Sequence, residues 1–203
     1  MKKTGIVAAA AGLAVIASHA SAQSISTISP FAANNGGSTG GAVYFDVTVG
    51  ANPLQITGYD TNTAELVTFG WTVYVRNGGG IGQIGAGDWM QVATGSGEGM
   101  GRDLVSSVTL DNFFTLDANT VYGMALVMGP EAGHDYTNGT GGNQSFSNAD
   151  IALDLGDASN VPFSGSAFNP RVWNGTIYYR VIPAPASLAL LGLGGLVAAR
   201  RRR

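Results

Sequence analysis

Cysteine is absent from all 203 residues. That leaves the chain no disulfide frame, no thiolate metal centre and no cysteine nucleophile. Histidine is nearly absent too, with His19 and His134 the whole supply, so a multi-histidine zinc site is excluded. Lysine occurs only as Lys2 and Lys3. Between the two ends the basic residues are Arg76, Arg102, Arg171 and Arg180, set against all thirteen acidic residues. Four positive minus thirteen negative charges gives −9 for residues 23–182. Such a surface repels polyphosphate backbones, which argues against nucleic-acid binding, and it keeps a domain soluble. Also missing from this stretch is any apolar stripe of 3.6-residue period, so no amphipathic helix is expected there.

What is present begins at the ends. Lys2 and Lys3 precede an apolar run from Gly5 to Ala17, and Ala20-Ser21-Ala22 is a small-x-small cleavage site. Residues 1–22 therefore read as a signal peptide cut by signal peptidase, leaving Gln23 as the mature N-terminus. At the other end Pro183-Ala184-Pro185 is followed by an apolar run from Ala186 to Ala199 and then by Arg200, Arg201, Arg202 and Arg203. The prolines stop the preceding structure, the apolar run suits lipid, and the arginines stay on the cytoplasmic side. As a helix the run spans about 21 Å against a hydrocarbon core of roughly 30 Å, which fits a transient transmembrane helix better than a lifelong anchor.

This tripartite tail, residues 183–203, resembles the PEP-CTERM sorting signal, with Ala184 where that motif carries glutamate. The resemblance implies an exported bacterial protein handled by an exosortase-like membrane protease. It also implies transient membrane insertion through the tail and a final place in the cell envelope, at the cell surface or in extracellular matrix. It carries nothing about activity.

Residues 23–182 alternate with a period of two. Val43, Phe45, Val47 and Val49 point one way and Tyr44, Asp46 and Thr48 the other; Phe69, Trp71, Val73 and Val75 form a second inward set. Further strands are expected at Ser24 to Ile28, Leu54 to Tyr59, Trp89 to Thr94, Leu104 to Asp111, Val121 to Met128, Ile151 to Leu155 and Arg171 to Val181. Asn174-Gly175 divides the last of these and predicts a type I′ hairpin turn. The expected fold is all-β, a single antiparallel β-sandwich of jelly-roll type, with an eight-stranded barrel as its rival and a long Gly129 to Asn148 connection. A helix is expected at each end, one in the signal and one in the tail.

Chemistry is sparse in this domain. Gly80-Ile81-Gly82-Gln83-Ile84-Gly85 matches a dinucleotide fingerprint without the helix it needs, and Gly36-Gly37-Ser38-Thr39-Gly40 matches a nucleophile elbow with a strand where a helix belongs. Both read as loops. His134 reads as an exposed loop histidine. No catalytic residue is assigned, and a carboxylate pair is the one remaining route to an enzyme. Asp150, Asp154 and Asp157 with Asn148, and Asp60 with Asn62, are oxygen ligands of the kind calcium takes, although neither set has a complete ligand loop. No other cofactor is implied. Trp173 and Tyr178, flanking the predicted turn, are the candidate exposed faces for stacking on sugar rings. The expected function is that of a non-catalytic structural or interaction protein at the envelope or in the matrix. The alternatives are a carbohydrate-binding module that contacts polysaccharide and a glycan-directed hydrolase.

Overall fold

Alternation of apolar and polar residues gives each strand one face to bury, and the register shifts along the strands let the sheet curl around it. The computed structural model describes residues 22–28 and 32–183, and the expected signal and tail helices lie outside these residues. Among the described residues there is no helix. The strands are β1 (Ala22–Ser26), β2 (Asn35–Gly36), β3 (Ala42–Val49), β4 (Leu54–Thr61), β5 (Thr68–Asn77), β6 (Met90–Glu98) and β7 (Ser106–Leu116). They continue with β8 (Val121–Met128), β9 (Asp135–Asn138), β10 (Ser145–Ser147), β11 (Ile151–Ser159), β12 (Arg171–Trp173) and β13 (Gly175–Val181).

Ten of these form one antiparallel sheet in the order β1-β13-β4-β7-β6-β5-β8-β3-β11-β10, and β12-β9-β2 make a small second sheet. The large sheet curls until its edges nearly meet, so it is almost a closed barrel. At the seam the Asn148 side-chain amide donates to the Ser24 carbonyl (3.2 Å) and to the Tyr179 hydroxyl (2.9 Å). Near-closure leaves little free edge for another chain to pair with.

The interior is aromatic. Phe45 and Trp173 stack with centroids 5.6 Å apart and planes 4° from parallel, and Tyr59 lies edge-on to Trp173 and tilted against Trp71. Around them pack the inward residues of β3, β5 and β8, among them Val47, Val73 and Leu126, all essentially without exposure. Aromatic side chains bury 150–250 Å² each, so this cluster accounts for much of the hydrophobic stabilisation in a chain that has no covalent staples.

Two expectations change. The Asn174-Gly175 pair is not a hairpin turn, because β12 pairs with β9 while β13 pairs with β1 and β4. The chain stays extended as it passes from the small sheet into the large one, and neither residue has positive φ. Gly175 is required by close approach instead: a Cβ there would fall on the Trp173 indole and 2.5 Å from the Asp60 carbonyl oxygen. Second, the long Gly129 to Asn148 connection contains β9 and β10. The glycine-rich stretch around Gly80 is the expected loop, joining β5 to β6, and it is laid as a strap across the outside of the sheet. The Asp46 carboxylate accepts from the Gly80 and Ile81 amides (2.6 and 3.2 Å), and Asp157 accepts from Gly82 (2.6 Å). Beneath the strap Tyr44, Ile84, Trp89 and Phe163 make a small outer core.

The register also fixes the two ends of the barrel. Ala22 stands opposite Arg180, so the chain enters and leaves the fold side by side. The loops around 62–67, 99–105 and 129–134 gather at the opposite end.

Candidate functional site

The outer face of β6 and β7 carries a groove of about 460 Å³ lined by Ser96, Glu98, Met100, Val105, Ser107 and Thr109. One row through it, crossing five strands, reads Gly70, Ser96, Thr109, Gly58 and Tyr178. Four positions in that row are glycine, serine or threonine; Ser96 and Thr109 line the groove, Gly58 is buried, and the Tyr178 ring ends the row. At roughly 4.8 Å per strand the row is about 19 Å long. Beside it Thr68 pairs with Glu98 and Ser107 with Asp60.

Hydrogen bonds hold these two pairs. The Thr68 hydroxyl donates to Glu98 Oε1 (2.7 Å). Asp60 accepts from the Ser107 hydroxyl at Oδ1 (2.7 Å) and from the Tyr178 hydroxyl at Oδ2 (2.6 Å). The bond to Asp60, with some burial, pushes the Tyr178 phenol up to about 12. Tyr178 is thus a neutral donor whose 37% exposed ring is held in place at its far tip. At the loop end of the barrel, Leu66, Val67, Met100, Leu104 and Val105 are exposed and form an apolar rim beside the groove.

Behind that rim lies a polar knot. The Arg102 guanidinium donates to Asp135 Oδ1 (2.8 Å), while Asn62 Oδ1 accepts from the Asp103 amide (2.9 Å) and its amide donates to Asp103 Oδ1 (3.3 Å). Burial raises the Asp135 carboxyl, partly offset by Arg102 and reinforced by Glu65 and Asp103. His134 is not an exposed loop histidine; it is 1% exposed. Its Nε2 meets the Leu126 carbonyl at 3.0 Å, and because a carbonyl only accepts, Nε2 carries the proton. The ring sits edge-on to Trp71, 5.4 Å between centroids. Burial drives the imidazole down to about 4, with the Leu126 bond opposing, so it is neutral at pH 7.

Of the two sugar-stacking candidates, Tyr178 lies at the surface and Trp173 does not. Trp173 is 1% exposed, packed on Phe45 and Tyr59, with Nε1 donating to the Thr61 hydroxyl (3.2 Å). It offers no face to a ligand. The calcium candidates are spread along β11 and its approach. Asp150 accepts from the Tyr179 hydroxyl (3.2 Å), Asp154 from Ser145 (2.6 Å), and buried Asp157 from Gly82 and Asn169. Each carboxylate is occupied by a different part of the fold, and among the described residues no three acidic or histidine side chains are grouped so as to hold a metal ion. Of the sorting and cleavage residues, Ala22 and Gln23 lie in β1 and Pro183 is the last described position; Ala20, Ala184, Pro185 and Arg200 to Arg203 lie outside the described residues.

Sequence reasoning missed Glu98, Ser96, Ser107 and Thr109. The period-two alternation of the Leu104 to Asp111 strand already placed Ser107 and Thr109 on its outward side. The coincidence of small residues across neighbouring strands needs the register.

No protein-family model matches the chain, and no curated protein matches it. Among solved structures, one described as the structure of infectious bursal disease virus Gt strain is similar at 14% identity and a TM-score of 0.25, covering 89% of this chain and 48% of that one. This chain therefore spans about half the length of that viral chain, and a likeness at this level carries no argument.

Proposed function

We propose that the protein is an exported, non-catalytic β domain of the cell envelope or extracellular matrix, sorted through its PEP-CTERM-like tail by an exosortase-like protease. The observation that supports this reading best is the pairing of Ala22 with Arg180. A leader before Gln23 and a sorting tail after Pro183 would join neighbouring strands at one end of the barrel. The membrane would then act on one pole of the domain. The opposite pole, with its apolar rim, would face outward, and cleavage after Ala22 would leave Gln23 to Ser26 hydrogen-bonded to β13. We read the curled sheet as a flattened, jelly-roll-like sandwich. The support is the Tyr59 hydroxyl on β4 reaching Met124 Sδ on β8, at 3.6 Å across the interior.

The test is the mass of the protein recovered from its producing cell. The expected species begins at Gln23 and ends close to Pro185. Intact full-length chain in the cytosol would overturn the proposal.

A further inference from the structure

The groove over β6 and β7, with the Tyr178 ring two strands away in the same row, points to a specific class of ligand: we propose that it binds a neutral pyranose oligosaccharide. The assignment stands on the groove alone, independently of the route by which the chain leaves the cell.

Shape is the first argument. The groove is a trough at Ser96 and Thr109, and the row through it, Gly70, Ser96, Thr109, Gly58 and Tyr178, runs about 19 Å across strands and ends on the Tyr178 ring, a span that suits several sugar units. Chemistry is the second. A pyranose ring offers an apolar C–H face and a belt of hydroxyls. It therefore needs a flat apolar wall beside hydrogen-bond donors and acceptors. The Tyr178 ring supplies the wall, and its bond to Asp60 fixes its orientation before any ligand arrives, which lowers the ordering cost of binding. The Ser96, Ser107 and Thr109 hydroxyls and the exposed Glu98 carboxylate lie along the trough. Glu98 uses Oε1 for Thr68, and its Oε2 has no partner among the described residues, so an acceptor is free for a ligand hydroxyl.

Charge is the third argument. The fixed charges beside the trough are the carboxylates of Glu98 and Asp60, and the nearby Arg180 is turned over the Phe113 ring, 6.0 Å from its centroid. A uronate or phosphate group in the groove would meet repulsion from these carboxylates. An extended peptide is disfavoured for a different reason: β4, β6 and β7 are each paired on both sides, so no free strand edge is available for backbone addition.

The test is calorimetric titration of the full chain in mild detergent with hexasaccharides of β-1,4-linked glucose, α-1,4-linked glucose, mannose and N-acetylglucosamine. A hexauronate serves as the acidic control. At least one neutral hexasaccharide should bind. Tyr178→Ala should weaken it by about tenfold or more, the loss of one stacking face, and Ser96→Trp should abolish it by filling the trough. Leu66→Ser, on the rim, should leave it unchanged, with the melting temperatures of Ser96→Trp and Leu66→Ser near that of the parent. No binding of any neutral hexasaccharide at millimolar concentration, tighter binding of the hexauronate, or undiminished binding by Ser96→Trp would each refute the assignment.

Discussion

Acid should destabilise this protein through His134 well before its carboxylates are extensively protonated. In the unfolded chain a histidine titrates near 6.5; in the fold, burial against Trp71 and β8 holds His134 at about 4. Between those values the unfolded state binds a proton that the native state refuses. Stability is therefore fully present above about pH 6.5 and is lost as pH falls toward 4. The full difference corresponds to about 3 kcal/mol, of which about 2 kcal/mol should be gone at pH 5. Asp135 works in the opposite sense: burial raises its carboxyl in the fold, so its protonation on acidification favours the native state and offsets part of the loss. Urea unfolding of the parent and of His134→Gln at pH 7.5 and pH 5 isolates the histidine. A glutamine amide can donate to the Leu126 carbonyl and does not titrate. The expected result is a midpoint that falls with acid in the parent and falls distinctly less in the variant, at equal m-values. Equal acid sensitivity in both proteins would refute the argument, because the proton uptake would then belong to other groups.

Two further outcomes follow from the geometry. Gly175→Ala should lower stability by at least about 2 kcal/mol in a thermal or urea melt, since the added methyl collides with the Trp173 indole and the Asp60 carbonyl; an unperturbed midpoint would mean the indole can shift. Adding or chelating calcium should leave the melting temperature unchanged, because Asp150, Asp154 and Asp157 are committed to separate protein donors. An upward shift with calcium would contradict that reading.

Much of the strand layout was legible because burial on one face forces a period of two. Val43 to Val49 and Phe69 to Val75 declare their inward sets in the residue order itself. The outward sets are harder, since what covers them comes from elsewhere in the chain: Tyr44 points away from the main core and is buried all the same, under the strap that Asp46 and Asp157 hold down. Asn174-Gly175 misled because its local turn preference is strong, while the reason for Gly175 is the bulk of Trp173. A signal was available: Trp173, Ile177 and Tyr179 share parity, and continuing that alternation through position 175 buries the indole and leaves Tyr178 outside. His134 misled for a related reason. Its neighbours in sequence are polar, but the space it fills lies between Trp71 and the Leu126 carbonyl, contributed by β5 and β8. The groove itself is local, its lining running from Ser96 to Thr109 along β6, the connecting loop and β7; what needs the register is the row that leads from it over Gly58 to Tyr178.

The adjacency of Ala22 and Arg180 has a mechanical consequence. Tension applied between the two ends of the domain would act at a single corner and peel β1 from β13, rupturing the ladder bonds in succession rather than shearing them together. A molecule gripped at one terminus alone transmits no such load through its sheet, and tugging on that leash would swing the whole domain without prying it open.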